Sequence, residues 1–328
     1  MSAPLLEVSN LNVKFASRGG KSDAGVQAVR NVSYHVDTGE TLCIIGESGS
    51  DKSVSMRSLM RLLPSTAEIS GSIRFEGRDM TAMGQAELEA LRGGDIAMVF
   101  QEPMIALDPI YGIGEQIVET IVKHKRCSKA EARRKALEML ELVKIPSAQS
   151  RLRARSFELS GGLRQRAMIA MSLACHPKLL LADEPTTALD ATVQIQILLL
   201  LKQLQREMGM AMIFVTHDLG VAAHVADRIA VMYAGEIVEQ GSTGQVLGSP
   251  RHPYTRAMLA SSVEGKSRDE DLVAIPGEPP DLRRPPQGCR FAPRCAFASE
   301  ICRAEPPVAR VGEEHTARCA RLAETGLL

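Results

Sequence analysis

The chain has 328 residues, of which 45% are hydrophobic, so it can bury the core of one large domain and still carry a smaller appendage. Lys+Arg and Asp+Glu both total 39, which argues against a nucleic-acid-binding protein with a strong positive surplus. The first residues, MSAPLLEVSN, lack the pattern of a secretory signal, and runs such as IQILLLLKQL are too short to cross a bilayer. We therefore expect a cytoplasmic chain whose seven cysteines are thiols or metal ligands rather than disulfides.

Strand-like and helix-like patterns alternate in the N-terminal part of the chain. LLEVSNLNVKF and VRNVSYHV predict two strands, joined by the polar, glycine-containing loop ASRGGKSDAG. ETLCIIG is a short apolar run that leads into a glycine-rich loop, after which KSVSMRSLMRLL predicts a helix. ISGSIRFEG and DIAMVFQ predict two further strands.

A helical region then interrupts the strand patterns. Residues from about 112 to 176 are mostly helical in pattern, with SKAEARRKALEMLELV as the clearest example. Strand patterns return in KLLLADEP, AMIFVTH and RIAVMYAGEIVEQG, and the helical VQIQILLLLKQLQREM follows the first of them. This order predicts an α/β core over residues 1–262 that contains a helical insertion at about 102–176.

The sequence changes character after about residue 262. EGKSRDED is charged, and IPGEPPDLRRPPQG is rich in proline and glycine, which favours extended, irregular backbone. Four of the seven cysteines lie beyond this stretch. We expect residues 263–328 to form a separate C-terminal extension.

The stretch GESGSDKS, residues 46–53, is close to the phosphate-binding pattern G-x-x-x-x-G-K-[ST]. In that pattern backbone N–H groups at a helix N-terminus hold phosphate oxygens, while the lysine reaches the β and γ phosphates and the serine binds Mg²⁺. A glycine turn before an ordinary helix is the alternative explanation. The residues expected to hold the nucleotide are Gly46, Glu47, Ser48, Gly49, Ser50, Asp51, Lys52 and Ser53.

Asp51 stands where the pattern requires its second glycine. Aspartate tolerates a positive φ better than most residues, so we expect the loop to keep its fold. Two unit charges about 4 Å apart repel by roughly 4 kcal/mol at an effective dielectric near 20, and Mg²⁺, Lys52 or an outward rotamer would reduce this. We therefore expect ATP binding to be weakened by about 1–3 kcal/mol, or about ten- to a hundredfold.

LLLADEP places Asp183, then Glu184, at the end of an apolar strand pattern. One carboxylate can hold Mg²⁺ through water and the next can polarise an attacking water, although paired acids after a strand are also common as helix caps. Together with the glycine loop, the acid pair predicts a nucleoside triphosphatase.

LSGGLRQR, residues 159–166, places Ser160, Gly161 and Gly162 at the start of a helix pattern. A bare helix N-terminus of this kind is suited to phosphate, and the alternative is a generic turn with a serine cap. In this order the three motifs resemble those of the ATP-binding subunits of ABC transporters, over about residues 5–262.

The resemblance implies an ABC-type P-loop nucleotide-binding domain that binds ATP and Mg²⁺. The family's remaining positions match Gln101 in VFQEP, Asp190 in TTALD and His217 in FVTHDL. The resemblance implies that Glu184 is the catalytic base and that His217 and Gln101 position the γ-phosphate, Mg²⁺ and water. It further implies that Ser53, Gln101 and Asp183 serve as the magnesium site. The SGG signature is implied to face the nucleotide of another subunit, so catalysis would need a dimer.

FQEPMIALDPI, HPYTRAML, IPGEPP and the cysteine tail resemble the ATPase subunits of oligopeptide and dipeptide importers. This implies a peripheral subunit on the cytoplasmic face of the inner (plasma) membrane that energises peptide import. The implied partners are a second ATP-binding subunit, two transmembrane permease subunits and an extracytoplasmic peptide-binding protein, with no nucleic acid. Three features depart from the family: Asp51, the lack of Tyr-Pro-His before the signature in RSFELSGG, and the absence of a clear adenine-stacking aromatic, for which Phe15 is the nearest candidate.

Cys289, Cys295, Cys302 and Cys319 have the spacing C-x5-C-x6-C-x16-C. Four thiolates can bind Zn²⁺ or a [4Fe–4S] cluster, and the spacing differs from the C-x2-C of common zinc ribbons. The subfamily resemblance favours iron–sulfur, with zinc or no metal as alternatives. Cys43, Cys127 and Cys175 are scattered and are expected to be unligated.

Two other functions remain open from the sequence. One is a degenerate, weakly hydrolysing subunit that completes the ATP site of a partner ATPase, which the substitution at Asp51 would permit. The other is a soluble ABC ATPase that acts on nucleic acid or ribosomes; the single nucleotide domain, the lack of a coiled-coil arm and the balanced charge argue against it.

Overall fold

The computed structural model describes residues 3–16, 25–187, 189–262 and 274–322. In chain order its strands are β1 (Leu6–Phe15), β2 (Val26–Val36), β3 (Thr41–Ile45), β4 (Ala67–Phe75), β5 (Arg78–Asp79), β6 (Ile96–Val99), β7 (Leu179–Asp183), β8 (Ala211–Thr216), β9 (Arg228–Tyr233), β10 (Glu236–Ser242), β11 (Val308–Gly312) and β12 (His315–Arg318). Its α-helices are α1 (Lys52–Leu59), α2 (Gln85–Leu91), α3 (Pro103–Ala106), α4 (Ile113–Lys125), α5 (Lys129–Leu142), α6 (Ala148–Arg151), α7 (Gly161–Leu173), α8 (Ala191–Met208), α9 (Leu219–Val225), α10 (Thr243–Gly248) and α11 (Pro253–Ser261).

The elements form two compact units, and one of the boundaries between them falls inside β8. The first unit comprises the described residues of Met1–Val36, Thr41–Thr81 and Val215–Leu328, and the second comprises those of Asp37–Glu40 and Ala82–Phe214. Within the described ranges, no helix is both long and apolar enough to cross a membrane.

The first unit contains two sets of paired strands. One is a four-stranded sheet in the order β2-β1-β4-β5, in which β1 pairs antiparallel with both β2 and β4. The other runs in the order β11-β12-β10-β9-β3, with β3 parallel to β9 and the other pairs antiparallel. Every residue of β3 is buried, as expected for the short apolar run before the glycine loop.

The pattern RIAVMYAGEIVEQG, predicted as one strand-like run, is a hairpin of β9 and β10. Ala234 and Gly235 form its turn, both with positive φ (48° and 81°). A Cβ on Gly235 would lie 2.0 Å from the carbonyl oxygen of Ala28, so this position has room only for glycine. The continuous apolar pattern hides the reversal of the chain at these two residues.

The second unit pairs β6 parallel with β7 and packs helices around its own core. The predicted helical region at 112–176 contains α4, α5, α6 and α7. Helices α4 and α5 bury the apolar residues Ile117, Ile121, Ala136 and Leu140 at four-residue spacing, which explains the helical pattern in the sequence.

The described part of the C-terminal extension, residues 274–322, belongs to the first unit. Strand β12 pairs with β10, with Glu239 opposite Ala317 and Gln240 opposite Thr316. The charged stretch EGKSRDED and most of the loop ASRGGKSDAG lie outside the described residues.

Candidate functional site

The phosphate loop connects β3 to α1 in the first unit, the strand–loop–helix order that its motif requires. Gly46 follows directly after β3, and a Cβ there would lie 2.1 Å from the carbonyl oxygen of Met232, so no larger residue fits. Gly49 has a positive φ of 79°. The loop therefore adopts a backbone path that depends on its glycines.

Lys52 begins α1 and is 5% exposed. Its Nζ donates hydrogen bonds to the carbonyl oxygens of Gly46 (2.8 Å) and Glu47 (3.0 Å). The Ser50 hydroxyl donates to the same Glu47 carbonyl at 2.5 Å. The loop thus holds its lysine by means of its own carbonyl groups, with the Glu47 peptide as the shared acceptor, and Ser53 lies half-buried in the first turn of α1.

Asp51 occupies the left-handed region, with φ 63° and ψ 25°. As expected, aspartate adopts the backbone conformation that the missing glycine would have allowed, and the loop is kept. Burial raises the pKa of the Asp51 carboxyl to about 6, against the opposing effects of Arg290 and Lys52. The carboxyl therefore titrates close to neutral pH, because desolvation outweighs the two nearby cations.

An open pocket of about 910 Å³ borders the phosphate loop, a volume within the range of roughly 300–1,000 Å³ for ligand sites. His217, exposed directly after β8, contributes to the same pocket, so the structure brings two of the predicted site elements together in the first unit. The lining residues are Gly46, Glu47, Ser48, His217, Asp218, Leu219, Gly220, Met258, Ser261, Ser262, Ala274 and Ile275.

The second unit brings Gln101 and Glu184 together. Asp183 is the fully buried last residue of β7, and Glu184 follows it with a positive φ of 43°. The Gln101 amide donates to the Glu184 carboxylate at 3.4 Å, and the Thr187 hydroxyl donates to the same oxygen at 3.0 Å. A glutamate in the left-handed region is uncommon, and such residues cluster at functional sites.

The signature residues lie at the start of α7, also in the second unit. Ser160 is exposed and its side chain makes no capping hydrogen bond to α7, unlike a generic serine cap. A Cβ on Gly162 would lie 2.8 Å from Val193 Cγ1, which explains the need for a small residue. Asp190 caps α8 by accepting a hydrogen bond from the Val193 N–H at 3.0 Å.

The four C-terminal cysteines line one small pocket, together with His252 and Phe291. All four are free thiols, the Cys289 N–H donates to the Cys302 carbonyl at 2.9 Å, and burial raises the pKa of Cys289 to about 11. Within the part of the chain that the structure describes, no group of three or more His, Cys, Asp or Glu residues is arranged to hold a metal ion. The four cysteines predicted as metal ligands therefore line one pocket, but within the described residues they are not arranged as a metal site.

Sequence reasoning missed the residues that surround the phosphate loop. Arg294 forms an ion pair with Glu47, Tyr254 accepts a hydrogen bond from the Glu47 N–H, and Arg290 lies near Asp51. No spacing rule predicts these contacts, because 247 positions separate Arg294 from Glu47.

Comparisons with known proteins agree with this geometry. The family profile described as ABC transporter matches residues 29–187, and the profile of the oligopeptide/dipeptide transporter C-terminal region matches residues 238–302. The chain is 50% identical to the oligopeptide transport ATP-binding protein OppD of Bacillus subtilis, over 95% of this chain and 87% of that protein. It is 47% identical to OppD of Salmonella typhimurium, over 93% of this chain and 90% of that protein.

A solved dimeric structure of an ATP-binding cassette in a post-hydrolysis state, bound to ADP and Pi, has a similar fold. Its TM-score is 0.64 at 30% sequence identity, over 73% of this chain and 98% of that chain. The chain therefore belongs to the ABC transporter family of ATP-binding proteins, in its oligopeptide/dipeptide branch. The resemblance and the ABC-type α/β fold predicted from the motifs are confirmed.

Proposed function

We propose that the chain is the ATPase subunit of a peptide importer and couples ATP binding and hydrolysis to transport through a membrane permease. The observation that carries the proposal is the phosphate loop, whose residues Gly46, Glu47 and Ser48 line one pocket of nucleotide size together with the exposed His217. The peptide-transport names of relatives that match almost the whole chain support the transported class.

The proposed roles follow the family motifs. Lys52 and the loop amides bind the phosphates, and Ser53, Asp183 and Gln101 provide oxygen ligands of the kind that Mg²⁺ prefers. When bound, Mg²⁺ neutralises the charge that develops on the phosphates. Glu184 accepts the proton of the attacking water, and its hydrogen bond to Gln101 supports this role by orienting the carboxylate.

The substitution Glu184→Gln tests this assignment. It should abolish ATP hydrolysis while ATP binding remains, since the amide keeps the size and hydrogen bonds of the carboxylate but cannot accept a proton. Glu138→Gln, at an exposed glutamate of α5 paired with Arg134, is the matched control and should hydrolyse ATP normally. Hydrolysis by the Glu184 variant at the rate of the control would contradict the proposed base.

The proposed partners are a second ATP-binding subunit, two permease subunits and an extracytoplasmic peptide-binding protein. Without a spanning helix in its described residues, the chain would act from the cytoplasmic face of the inner (plasma) membrane by binding the permease. Co-purification of the untagged chain with a tagged permease, in membranes washed with high salt, tests this arrangement. Recovery of the chain only in the soluble fraction would contradict it.

For the cysteine pocket we propose a [4Fe–4S] cluster, with Zn²⁺ as the alternative. The four free thiols around one pocket support a tetrathiolate ligand set of the kind that holds such a cluster. Burial raises the pKa values of Cys289, Cys295 and Cys319, so a metal must displace protons from these thiols. Anaerobically purified protein should be brown, whereas colourless protein with one zinc would favour the alternative.

A further inference from the structure

The C-terminal extension reaches the phosphate loop through Arg294. Its guanidinium forms a two-pronged ion pair with Glu47, the second residue of the loop: Nη1 lies 2.7 Å from Oε2 and Nη2 lies 3.1 Å from Oε1. The Arg294 side chain is 5% exposed and that of Glu47 is 27% exposed. A partly buried fork of this kind is stronger and more directional than an exposed surface ion pair.

Both ends of Glu47 are fixed by groups outside the loop. While Arg294 binds its carboxylate, the Tyr254 hydroxyl accepts a hydrogen bond from its backbone N–H at 2.9 Å. Arg294 is itself held, because its Nε donates to the Pro276 carbonyl at 2.8 Å and its guanidinium lies over the Tyr233 ring, 5.8 Å from the centroid. These contacts fix the side chain and the backbone N–H of Glu47.

The carbonyl of the same residue, Glu47, in turn holds the lysine of the phosphate loop. Its carbonyl accepts from Lys52 Nζ at 3.0 Å and from the Ser50 hydroxyl at 2.5 Å. A loop that is held in one shape loses less conformational entropy when phosphate binds, so contacts that orient Glu47 also favour nucleotide binding.

Cysteines that line the cysteine pocket flank Arg294 in the chain. Arg294 ends the short 3₁₀ turn Ala292–Arg294, and Cys295 follows it directly. The Ala292 N–H donates to the Cys289 carbonyl at 3.1 Å, and the Cys295 N–H donates to the Ala292 carbonyl at 3.2 Å. A shift of the backbone at Cys289 or Cys295 would therefore be passed to the turn that presents Arg294.

We infer that Arg294 is a positioning residue for nucleotide binding, through which the cysteine pocket controls the shape of the phosphate loop. The inference rests on the proposed function, because it requires the loop to bind ATP. It adds a route by which the state of thiols outside the nucleotide pocket changes the affinity for ATP.

Calorimetric titration of the full-length chain with Mg-ATP tests the ion pair. Arg294→Ala and Glu47→Gln should each weaken ATP binding by about tenfold, the range for a lost charge-assisted hydrogen bond. The double variant should be hardly weaker than either single variant, because the two changes remove the same interaction. Arg294→Lys should recover part of the affinity, since it restores the charge without the fork.

Arg303→Ala is the matched control, since Arg303 is 77% exposed and pairs with Glu300 in the same extension. It should bind ATP like the unaltered chain. Adenosine, which lacks phosphates, should bind all these variants equally if Arg294 acts on the phosphate loop. Equal loss of adenosine and ATP affinity would indicate a general folding defect and overturn the inference.

The cysteine arm of the test compares Cys295→Ser in two backgrounds. It should weaken ATP binding when Arg294 is present and add little to the loss in Arg294→Ala. Equal effects in both backgrounds, or normal ATP binding by a folded Arg294→Ala or Glu47→Gln chain, would overturn this inference but leave the proposed function standing. If the unaltered chain fails to bind ATP, the proposed function is overturned and the inference falls with it.

Discussion

Asp51 has the left-handed backbone conformation that suits the phosphate loop, but its carboxylate carries the same sign of charge as the phosphates. Replacing it with glycine keeps the left-handed conformation and removes the carboxylate, so Asp51→Gly should tighten ATP binding by about ten- to a hundredfold. Asp51→Asn should recover only part of this gain, since its side chain stays where the backbone must approach phosphate. Calorimetric titration with Mg-ATP and with adenosine separates the electrostatic effect, because adenosine carries no phosphate. Unchanged ATP affinity in Asp51→Gly would mean that the carboxylate points away from the phosphates.

The pH dependence of ATP binding should follow the raised pKa of Asp51, about 6. Below this pKa the carboxyl is protonated and neutral, so the repulsion is absent; as pH rises through it, the charge and the penalty appear. The ratio of dissociation constants between the unaltered chain and Asp51→Asn should therefore be larger at about pH 8 than at about pH 5. Because bound ATP raises the pKa of Asp51 further, the change should begin near pH 6 and extend to that higher pKa. A ratio that does not vary with pH would contradict the assignment, and titration of ATP itself cancels because both chains bind the same ligand.

At the level of single residues, the sequence predicts the backbone conformation of Asp51 but not the side chains that contact Asp51 and Glu47. The motif and the tolerance of aspartate for positive φ predict the conformation at Asp51. Neither predicts Arg290 or Arg294, because both arrive from a segment that follows the whole nucleotide core in sequence. Such contacts depend on how the C-terminal extension packs in the first unit, which periodicity alone does not specify.

Among the elements, the β9–β10 hairpin gives a direct test of the fold. Gly235→Ala should destabilise the chain by about 1–3 kcal/mol, because the added Cβ would overlap the Ala28 carbonyl and the residue has a positive φ. Gly244→Ala is the control, since nothing lies within 4 Å of a Cβ there and the residue is in a helix, where alanine is favoured. Urea unfolding measures both variants. Equal stability of the Gly235 and Gly244 variants would show that the hairpin can move away from β2.

A second prediction at the level of elements concerns the cysteine pocket. Cys302→Ser should remove the proposed cluster, lowering iron from about four per chain to near zero and bleaching the brown colour. Cys127→Ser is the control, because Cys127 lies outside the pocket and should leave iron unchanged. Iron analysis and visible absorption on anaerobically purified protein check both variants. Full iron content in Cys302→Ser would exclude this residue as a ligand.

The sequence predicts a helix or strand well where its hydrophobic pattern arises from burial in a single core. The short apolar run before the phosphate loop predicts β3, in which every residue is buried, and the helical period of α4 and α5 predicts helices that bury one face. The reversal at Ala234 and Gly235 lies within an apolar run, so only the close approach of Ala28 reveals why the chain must turn there. The meeting of four cysteines at one pocket follows from spacing only in part, since turns between them bring the thiols together.

For the molecule as a whole, the separation of the motifs between two units bears on how the ATPase works. The phosphate loop and His217 belong to the first unit, whereas Glu184 and the signature residue Ser160 belong to the second. The family resemblance assigns the signature to the nucleotide of a second subunit. The dimeric state of the similar ADP-bound cassette supports the proposal that two chains complete each site.

Complementation between two inactive variants tests this proposal. Ser160→Arg should disable the signature that a chain offers to its partner, and Glu184→Gln should disable the base of a chain's own site, so each variant alone should hydrolyse ATP poorly. In a mixture, heterodimers should contain one site that joins the intact glutamate of the first variant to the intact signature of the second. Activity should therefore reappear on mixing and increase with total concentration, because it depends on association.

Ser160→Arg mixed with Ser160→Arg,Glu184→Gln is the matched control and should stay inactive, since no intact signature is present. Absence of activity in the first mixture despite heterodimers detected by sedimentation, or efficient turnover by a strictly monomeric unaltered chain, would contradict the two-subunit site.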